Sequence, residues 1–412
     1  MLSGFDPSAS SMTAVSSPPV RLLQLDALRG FALLGILLVN IGAFASAYFG
    51  LGVGDPQFAG PLDRAVRWVV ALLFETKFYL LFSFLFGYSF TLQMDSAERA
   101  GQAFVPRMQR RLLGLLLLGL AHAVLLYLGD ILSTYALLGL VLLALRGCAD
   151  EQLLRWARRL IGLTALAWAL LGLLLLMTSS GGFAPELQAQ ALAAQQAYVM
   201  SPASVVAQHL RELPSTLGVV WLVQAPCALA MFLLGRLAGG RRWFEGEGWR
   251  EGLRQWAPRG RPALGLALGL LGSVCYASVA AMALGDGWTL LALALDLLTA
   301  PFLTLSYVMG LMALFQRPAG VRWLAWLAPA GRMALSNYLL QSLVCALIFT
   351  AYGLGLMGQV APLGGVLIAL VLFAAQLWLS RRWLERFAYG PVEWLLRALT
   401  LASWPRMRKQ AG

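Results

Sequence analysis

The sequence predicts an all-α, polytopic integral membrane protein of about ten transmembrane helices, N-in and C-in. Three observations carry that fold class. The 412 residues are 59% hydrophobic and 12% charged, with a mean hydropathy of +0.73, whereas soluble domains carry roughly 25% charge. So little polar surface cannot cover a soluble chain of this size, which excludes a cytosolic enzyme, a disordered protein and a secreted disulfide scaffold. Windows of about 20 apolar residues recur along the chain, and Lys and Arg gather on alternate sides of them.

In chain order, residues 1–20 are polar and Ser/Pro-rich and read as a disordered tail. The spans then fall at about 28–49, 67–91, 112–128, 131–145, 160–178, 215–234, 263–284, 288–315, 333–351 and 362–380. Ala45-Ser46-Ala47 imitates a signal-peptidase site, but Asp26 in the leader and the length of the apolar run favour an uncleaved anchor. Spans 112–128 and 131–145 are both short for a full crossing, so the tip at Gly129-Asp130 is expected below the outer surface, in a cavity. These spans divide the chain into an N-terminal membrane half, 21–214, with an external loop at 179–214, and a C-terminal half, 215–400, followed by a basic tail, 401–412. The external loop holds ELQAQALAAQQAY, a helix-forming stretch expected to lie at the interface or cap the bundle. His209, in the same loop, is expected to be solvated. The inner loop 235–262 carries Trp243, Trp249 and Trp256 among arginines, a pattern that anchoring on the membrane surface explains.

There are 31 Lys and Arg against 19 Asp and Glu, a formal charge of +12. With the N-terminus inside, 27 of those bases are cytoplasmic; only Arg64, Arg67 and Arg211 fall outside, and Lys77 lies in a span. The positive-inside rule therefore accounts for the basic balance, and no nucleic-acid partner is expected. Cys148, Cys227, Cys275 and Cys345 are isolated and the histidines number two, so no metal site is expected.

Ionisable groups within spans mark candidate sites. Glu75 and Lys77 are two residues apart and cannot pair on one helix face. Either one of them finds another partner or a wet cavity, or the helix starts at Lys77 and Glu75 sits in the interface. Asp296 lies near mid-depth and either lines a cavity or meets a base from another helix. His122 and Asp130 flank the short hairpin, as a general base with its orienting carboxylate or as a structural histidine beside a helix-capping aspartate. Asp26, Asn40, Asn337, Gln341 and Gln376 complete the intramembrane polar set, with the amides read as interhelical glue. Ser83 and Gly87 form a small-x-x-x-small notch for close helix contact.

Several blocks resemble the YeiB-like family, whose C-terminal domain is the domain of unknown function 418. Leu25-Asp26-Ala27-Leu28-Arg29-Gly30 with Val39-Asn40-Ile41 is similar to that family's opening, and Lys77-Phe78-Tyr79 through Gly87-Tyr88 to its second block. Arg110-Arg111-Leu112, Gly119-Leu120-Ala121-His122 and Gly129-Asp130-Ile131-Leu132 resemble the third. Gly331-Arg332-Met333-Ala334-Leu335-Ser336-Asn337-Tyr338-Leu339-Leu340-Gln341-Ser342 and Tyr389-Gly390-Pro391-Val392-Glu393-Trp394 resemble the C-terminal domain. The opening L-D-x-x-R-G block also resembles transmembrane acyltransferases such as the heparan-α-glucosaminide N-acetyltransferases.

That second resemblance implies transfer of an acyl group from cytosolic acyl-CoA or acetyl-CoA to a sugar or envelope metabolite across the inner membrane of a bacterium. His122 and Asp130 would then be catalytic, and Arg29, Arg110 and Arg111 would hold the donor's phosphates. The early histidine of the N-acetyltransferases has no counterpart in 41–66, which leaves His122 as the expected intramembrane base. The alternatives are a transporter or exporter with Glu75 and Asp296 as coupling sites, and a non-catalytic membrane subunit. The expected partners are membrane lipid and a small-molecule acceptor; a homodimer is compatible with all three readings.

Overall fold

The computed structural model describes residues 23–51, 53–178, 184–245, 249–250, 254, 261–282 and 284–409. The predicted tail 1–20, Arg21 and Trp256 lie outside the described residues. The described residues form fifteen named α-helices and no strand: α1 Leu23–Ala45, α2 Pro61–Leu73, α3 Lys77–Arg99, α4 Phe104–Leu125, α5 Leu132–Ala144, α6 Asp150–Thr178, α7 Ala184–Met200, α8 Pro202–Val219, α9 Ala225–Gly240, α10 Pro262–Met282, α11 Asp286–Phe315, α12 Pro318–Arg332, α13 Ala334–Phe349, α14 Pro362–Arg386 and α15 Pro391–Leu401.

Eight of the ten predicted spans fall on helical segments long and apolar enough to cross a membrane. The other two are shorter. Span 333–351 is one arm of a pair, α12 and α13, bent by 78° at Met333; the two arms together make a ninth crossing if counted as one. Span 131–145 is α5, only 13 residues long and extended by one tight turn to Gly147.

α1 runs through the middle, most of its length buried and packed on α12, α14, α3 and α13. Around it α3 pairs with α9, α4 with α5, α6 with both α9 and α11, and α10 with α11. The α3–α9 pair packs backbone against backbone. A Cβ at Gly87 would meet the Phe232 carbonyl and one at Gly235 would meet the Phe84 carbonyl, both well inside contact distance. Two glycines facing opposite backbones let the helices approach where lipid offers no hydrophobic drive; Gly87 thus fills the role expected of the small-x-x-x-small notch.

The described residues of the stretch 179–214 fold as helices. α7 and α8 pack together, Ser201 closes the N-terminus of α8 by accepting from Ser204 N at 3.1 Å, and Ala351 N donates to Tyr198 O beyond the end of α13. This corrects the reading of His209, which is buried against Tyr198 and bonded through Nδ1 to the Val124 carbonyl at 2.9 Å. The inner tryptophans also differ from expectation. Trp243 and Trp249 are buried, because the chain leaving α9 folds back on the end of α3, where Phe244 N donates to Tyr88 Oη.

Candidate functional site

The site begins where α4 stops. Leu126 N and Tyr127 N both bond the His122 carbonyl, which closes the helix one turn past the imidazole. The chain then turns through Tyr127–Ile131 and starts α5. Asp130 stands just ahead of that start. Its Oδ2 accepts from Ser133 N at 2.8 Å and Ser133 Oγ at 2.6 Å, and its Oδ1 accepts from Leu132 N at 3.2 Å. The expected helix cap is therefore present. So is the expected partnership: His122 Nδ1 lies 2.9 Å from Asp130 Oδ1, both side chains almost wholly buried. Capping and orienting are compatible because a carboxylate offers about four lone-pair sites.

A third member was not foreseen. His122 Nε2 lies 2.8 Å from Ser342 Oγ, on the third turn of α13, and both residues are 2% exposed. Three donors other than the imidazole hold Asp130 as an acceptor, so Nδ1 donates to it; in the neutral ring Nε2 is left as the acceptor. Ser342 then donates its O–H to Nε2. The result is a hydroxyl, an imidazole and a carboxylate in line, from three separate helix ends or turns. The Tyr338 ring packs 5.1 Å from the imidazole and Tyr127 lies 6.1 Å away. Ser342 had only one signal in the sequence, a hydroxyl next to Gln341 in an otherwise apolar run. Nothing local ties it to a histidine 220 residues earlier.

The helix that carries Ser342 is held at its start by Glu393. That carboxylate accepts from Leu335 N at 2.7 Å, Ser336 N at 3.0 Å and Ser336 Oγ, and so satisfies the free amides of α13 from the neighbouring α15. Burial pushes the Glu393 carboxyl up from its ordinary range, and these hydrogen bonds offset part of the shift. Further along, Asn337 Nδ2 donates to Ser380 Oγ and Gln341 Nε2 to Gln376 Oε1, while Gln376 Nε2 donates to the Asn337 carbonyl. These amides tie α13 to α14 as the glue expected of them. Asn40 is half-buried on α1 and bonds to none of this set among the described residues.

At the opposite end of α4, two of the three predicted donor-binding arginines, Arg29 and Arg111, lie within electrostatic reach of each other, and Arg110 lies within reach of Arg107. Arg111 also lies within reach of Arg107, Arg397 and Glu393, and Arg107 within reach of Arg397. Arg29 bonds Asp26 one turn back and Ser89 Oγ at 2.7 Å, and Arg110 Nε donates to the Thr400 carbonyl at 3.1 Å. Arg111 Nε is buried without a hydrogen-bond partner among the described residues. Sequence reading missed Arg107 and Arg397, the second of which comes from α15 and joins the group only through folding. A cluster of guanidinium groups with one carboxylate among them suits an anion with several oxygens. His122 stands eleven residues beyond Arg111 on the same helix, about 16 Å along its axis.

Asp296 resolves differently. Lys77 Nζ lies 3.2 Å from its Oδ1, with both side chains fully buried, and Ser273 Oγ donates to the same oxygen at 3.0 Å. Lys77 also reaches the Ala71 carbonyl. The helix does begin at Lys77, one of the two expectations, with Thr76 at a φ of 67° breaking it from α2. Glu75 is half-buried and accepts from Tyr276 Oη at 3.2 Å. The structure thus builds two polar centres, one around His122 and one around Lys77, on different helices.

Residues 238–403 match the family described as Protein of unknown function (DUF418). The chain is 36% identical over 409 residues to the uncharacterized protein YxaH of Bacillus subtilis, covering 95% of this chain and 96% of YxaH. It is 30% identical over 411 residues to the uncharacterized protein YeiB of Escherichia coli, covering 94% and 99%. A third relative, an uncharacterized 39.9 kDa protein of Bacillus acidopullulyticus, is 28% identical over 92% of the chain and 94% of its own length. No solved structure matches. Full-length similarity to two relatives at 30% identity or above, with the DUF418 match over residues 238–403, means that this multi-pass membrane protein belongs to the YeiB/YxaH family.

Proposed function

We propose that the protein is a membrane acyltransferase that takes an acyl group from cytosolic acyl-CoA, acetyl-CoA in the simplest case, and passes it to a hydroxyl or amine of a sugar or envelope metabolite at the cytoplasmic membrane. The observation that carries the reading is the buried His122, oriented through Nδ1 by Asp130 and accepting a hydroxyl proton at Nε2. A base so placed removes a proton from a nucleophile as it attacks a thioester carbonyl, and the neighbouring carboxylate stabilises the imidazolium that forms. Support also comes from the arginine cluster. Arg29, Arg107, Arg110, Arg111 and Arg397 would hold the donor's phosphates at one end of α4, and its pantetheine arm would run the roughly 16 Å up to His122.

The second reading, a transporter with Glu75 and Asp296 as coupling sites, draws on the buried cluster around Lys77. It is the weaker one. The Asp296 charge already has a lysine and a serine as partners, which is how a buried carboxylate with a structural role is satisfied.

The test is made on the purified full-length chain in lipid nanodiscs. Mass spectrometry of co-purified small molecules should find CoA species, and Arg111→Ala should weaken CoA binding about tenfold or more, the loss of one charge-assisted phosphate contact. His122→Ala should abolish release of CoA thiol from acyl-CoA while membrane insertion and thermal stability persist. CoA-thiol release that is unchanged in His122→Ala would remove His122 from the mechanism.

A further inference from the structure

We infer that Ser342 is a catalytic nucleophile, so that the acyl group passes through a covalent Ser342 ester before it reaches the acceptor. This rests on the acyltransferase reading above and adds to it an intermediate and a residue. The position that a direct transfer would reserve for the acceptor's hydroxyl, within hydrogen-bond reach of His122 Nε2, is already filled by the Ser342 Oγ at 2.8 Å. Ordinary packing of a helical serine is a bond to the carbonyl four residues back. Ser342 has that option, the Tyr338 carbonyl, but at 3.4 Å, so the imidazole is the closer partner.

The rest of the geometry fits a nucleophile. Asp130 fixes the tautomer in which Nε2 accepts, and the carboxylate is itself fixed by three donors from the start of α5. Glu393 and the amide ladder to α14 hold α13 in register, so the serine is presented from a rigid element. One turn before Ser342, the Tyr338 ring packs 5.1 Å from the imidazole, and its buried hydroxyl, near the Ile131 amide, makes no hydrogen bond of standard geometry among the described residues. Its O–H lacks an acceptor, which an oxyanion within its reach would supply. Burial of all three members keeps water from an ester formed on Ser342.

The chemistry balances in two halves. In the first, Ser342 Oγ attacks the thioester carbonyl carbon as His122 Nε2 takes its proton; the C–O bond forms, the C–S bond breaks, and the CoA sulfur leaves with the proton from His122. In the second, the acceptor's hydroxyl or amine gives its proton to His122 and attacks the Ser342 ester carbonyl; the new bond forms, the ester C–O bond breaks, and Ser342 Oγ regains the proton. No oxidant or reductant enters. A covalent relay also suits a substrate pair that arrives from opposite faces, since the acyl group can wait between them.

The first half needs no acceptor, which makes it testable alone. The full-length protein in nanodiscs is incubated with acyl-CoAs radiolabelled in the acyl group, from acetyl to palmitoyl, and then digested for peptide mapping. The expected result is label on Ser342, with a burst of one CoA per chain, and loss of both in Ser342→Ala and His122→Ala. Ser342→Cys guards against a folding failure: it should still be labelled, but as a thioester released by neutral hydroxylamine, where the wild-type ester resists. Transfer that depends on His122 but proceeds undiminished in Ser342→Ala, with no labelled chain, would overturn the covalent step and leave the acyltransferase reading standing. Absence of both label and CoA release across the series overturns both. Label on any other residue overturns the assignment to Ser342.

Discussion

At the level of single residues, Asp130 does two jobs that the sequence presents as rivals. It caps α5 and it orients His122, using separate lone pairs. Asparagine cannot do both. Its one oxygen would turn to the two donors of Ser133, which leaves its NH2 facing His122 Nδ1 and forces the ring proton onto Nε2. Asp130→Asn should therefore reduce transfer by on the order of 10⁴-fold, the scale seen when a hydrolase triad is held in the wrong tautomer. The chain should remain folded, with α5 exchanging its amide hydrogens faster; steady-state rates and hydrogen exchange check the two parts. Lys77 behaves in the opposite way, since its worth is shown by what its removal leaves behind. Lys77→Met strands a fully buried Asp296 carboxylate and should lower stability by about 3–5 kcal/mol. The double variant Lys77→Met with Asp296→Leu should recover most of that loss, measured by thermal unfolding in detergent. A double variant as unstable as the single one would mean that the pair contributes more than mutual neutralisation.

At the level of helices, the junction of α12, α13 and α15 is the mechanically telling one. α12 and α13 bend by 78° because Met333 leaves the helical region, and Glu393 from α15 takes up the amides that the bend frees. That carboxyl is raised above its ordinary value of 4.5, chiefly by burial. A carboxyl whose folded value is raised gives stability that is fully present below 4.5 and is lost as the pH climbs through the raised value. Thermal stability of the wild type should accordingly fall relative to Glu393→Gln as the pH is taken from about 4 to about 8. Parallel curves for the two proteins would show that Glu393 does not titrate differently in the folded chain.

At the level of the whole molecule, the partition of bases gives an orientation that can be measured. Reporter fusions after Gly182 and after Gly246, both outside the described residues, should report opposite sides of the membrane, with the second cytoplasmic. The same side for both would break the topology that puts the arginine cluster where cytosolic CoA can reach it. Arg29, Arg107, Arg110, Arg111 and Arg397 come from α1, α4 and α15 and converge, although hydropathy alone places them in three distant stretches of chain.

The sequence by itself determined what depends on composition and on local spacing. Apolar windows locate eight helical segments long enough to cross a membrane, because hydrocarbon demands unbroken runs of about 20 residues with every backbone group bonded internally. The short 112–128 and 131–145 windows announced a hairpin, and its two ionisable residues meet there, eight positions apart. Tertiary structure decided everything that joins distant stretches. It alone placed Ser342 on His122, Asp296 on Lys77, Arg397 among the α4 arginines and His209 under the outer cap. The physical reason is that periodicity encodes which face of a helix is apolar. Which partner a buried polar group finds is set by the register between helices, and in this chain that register depends on close contacts such as Gly87 on α9 and on caps such as Glu393. Neither signal can be read until the helices are assembled.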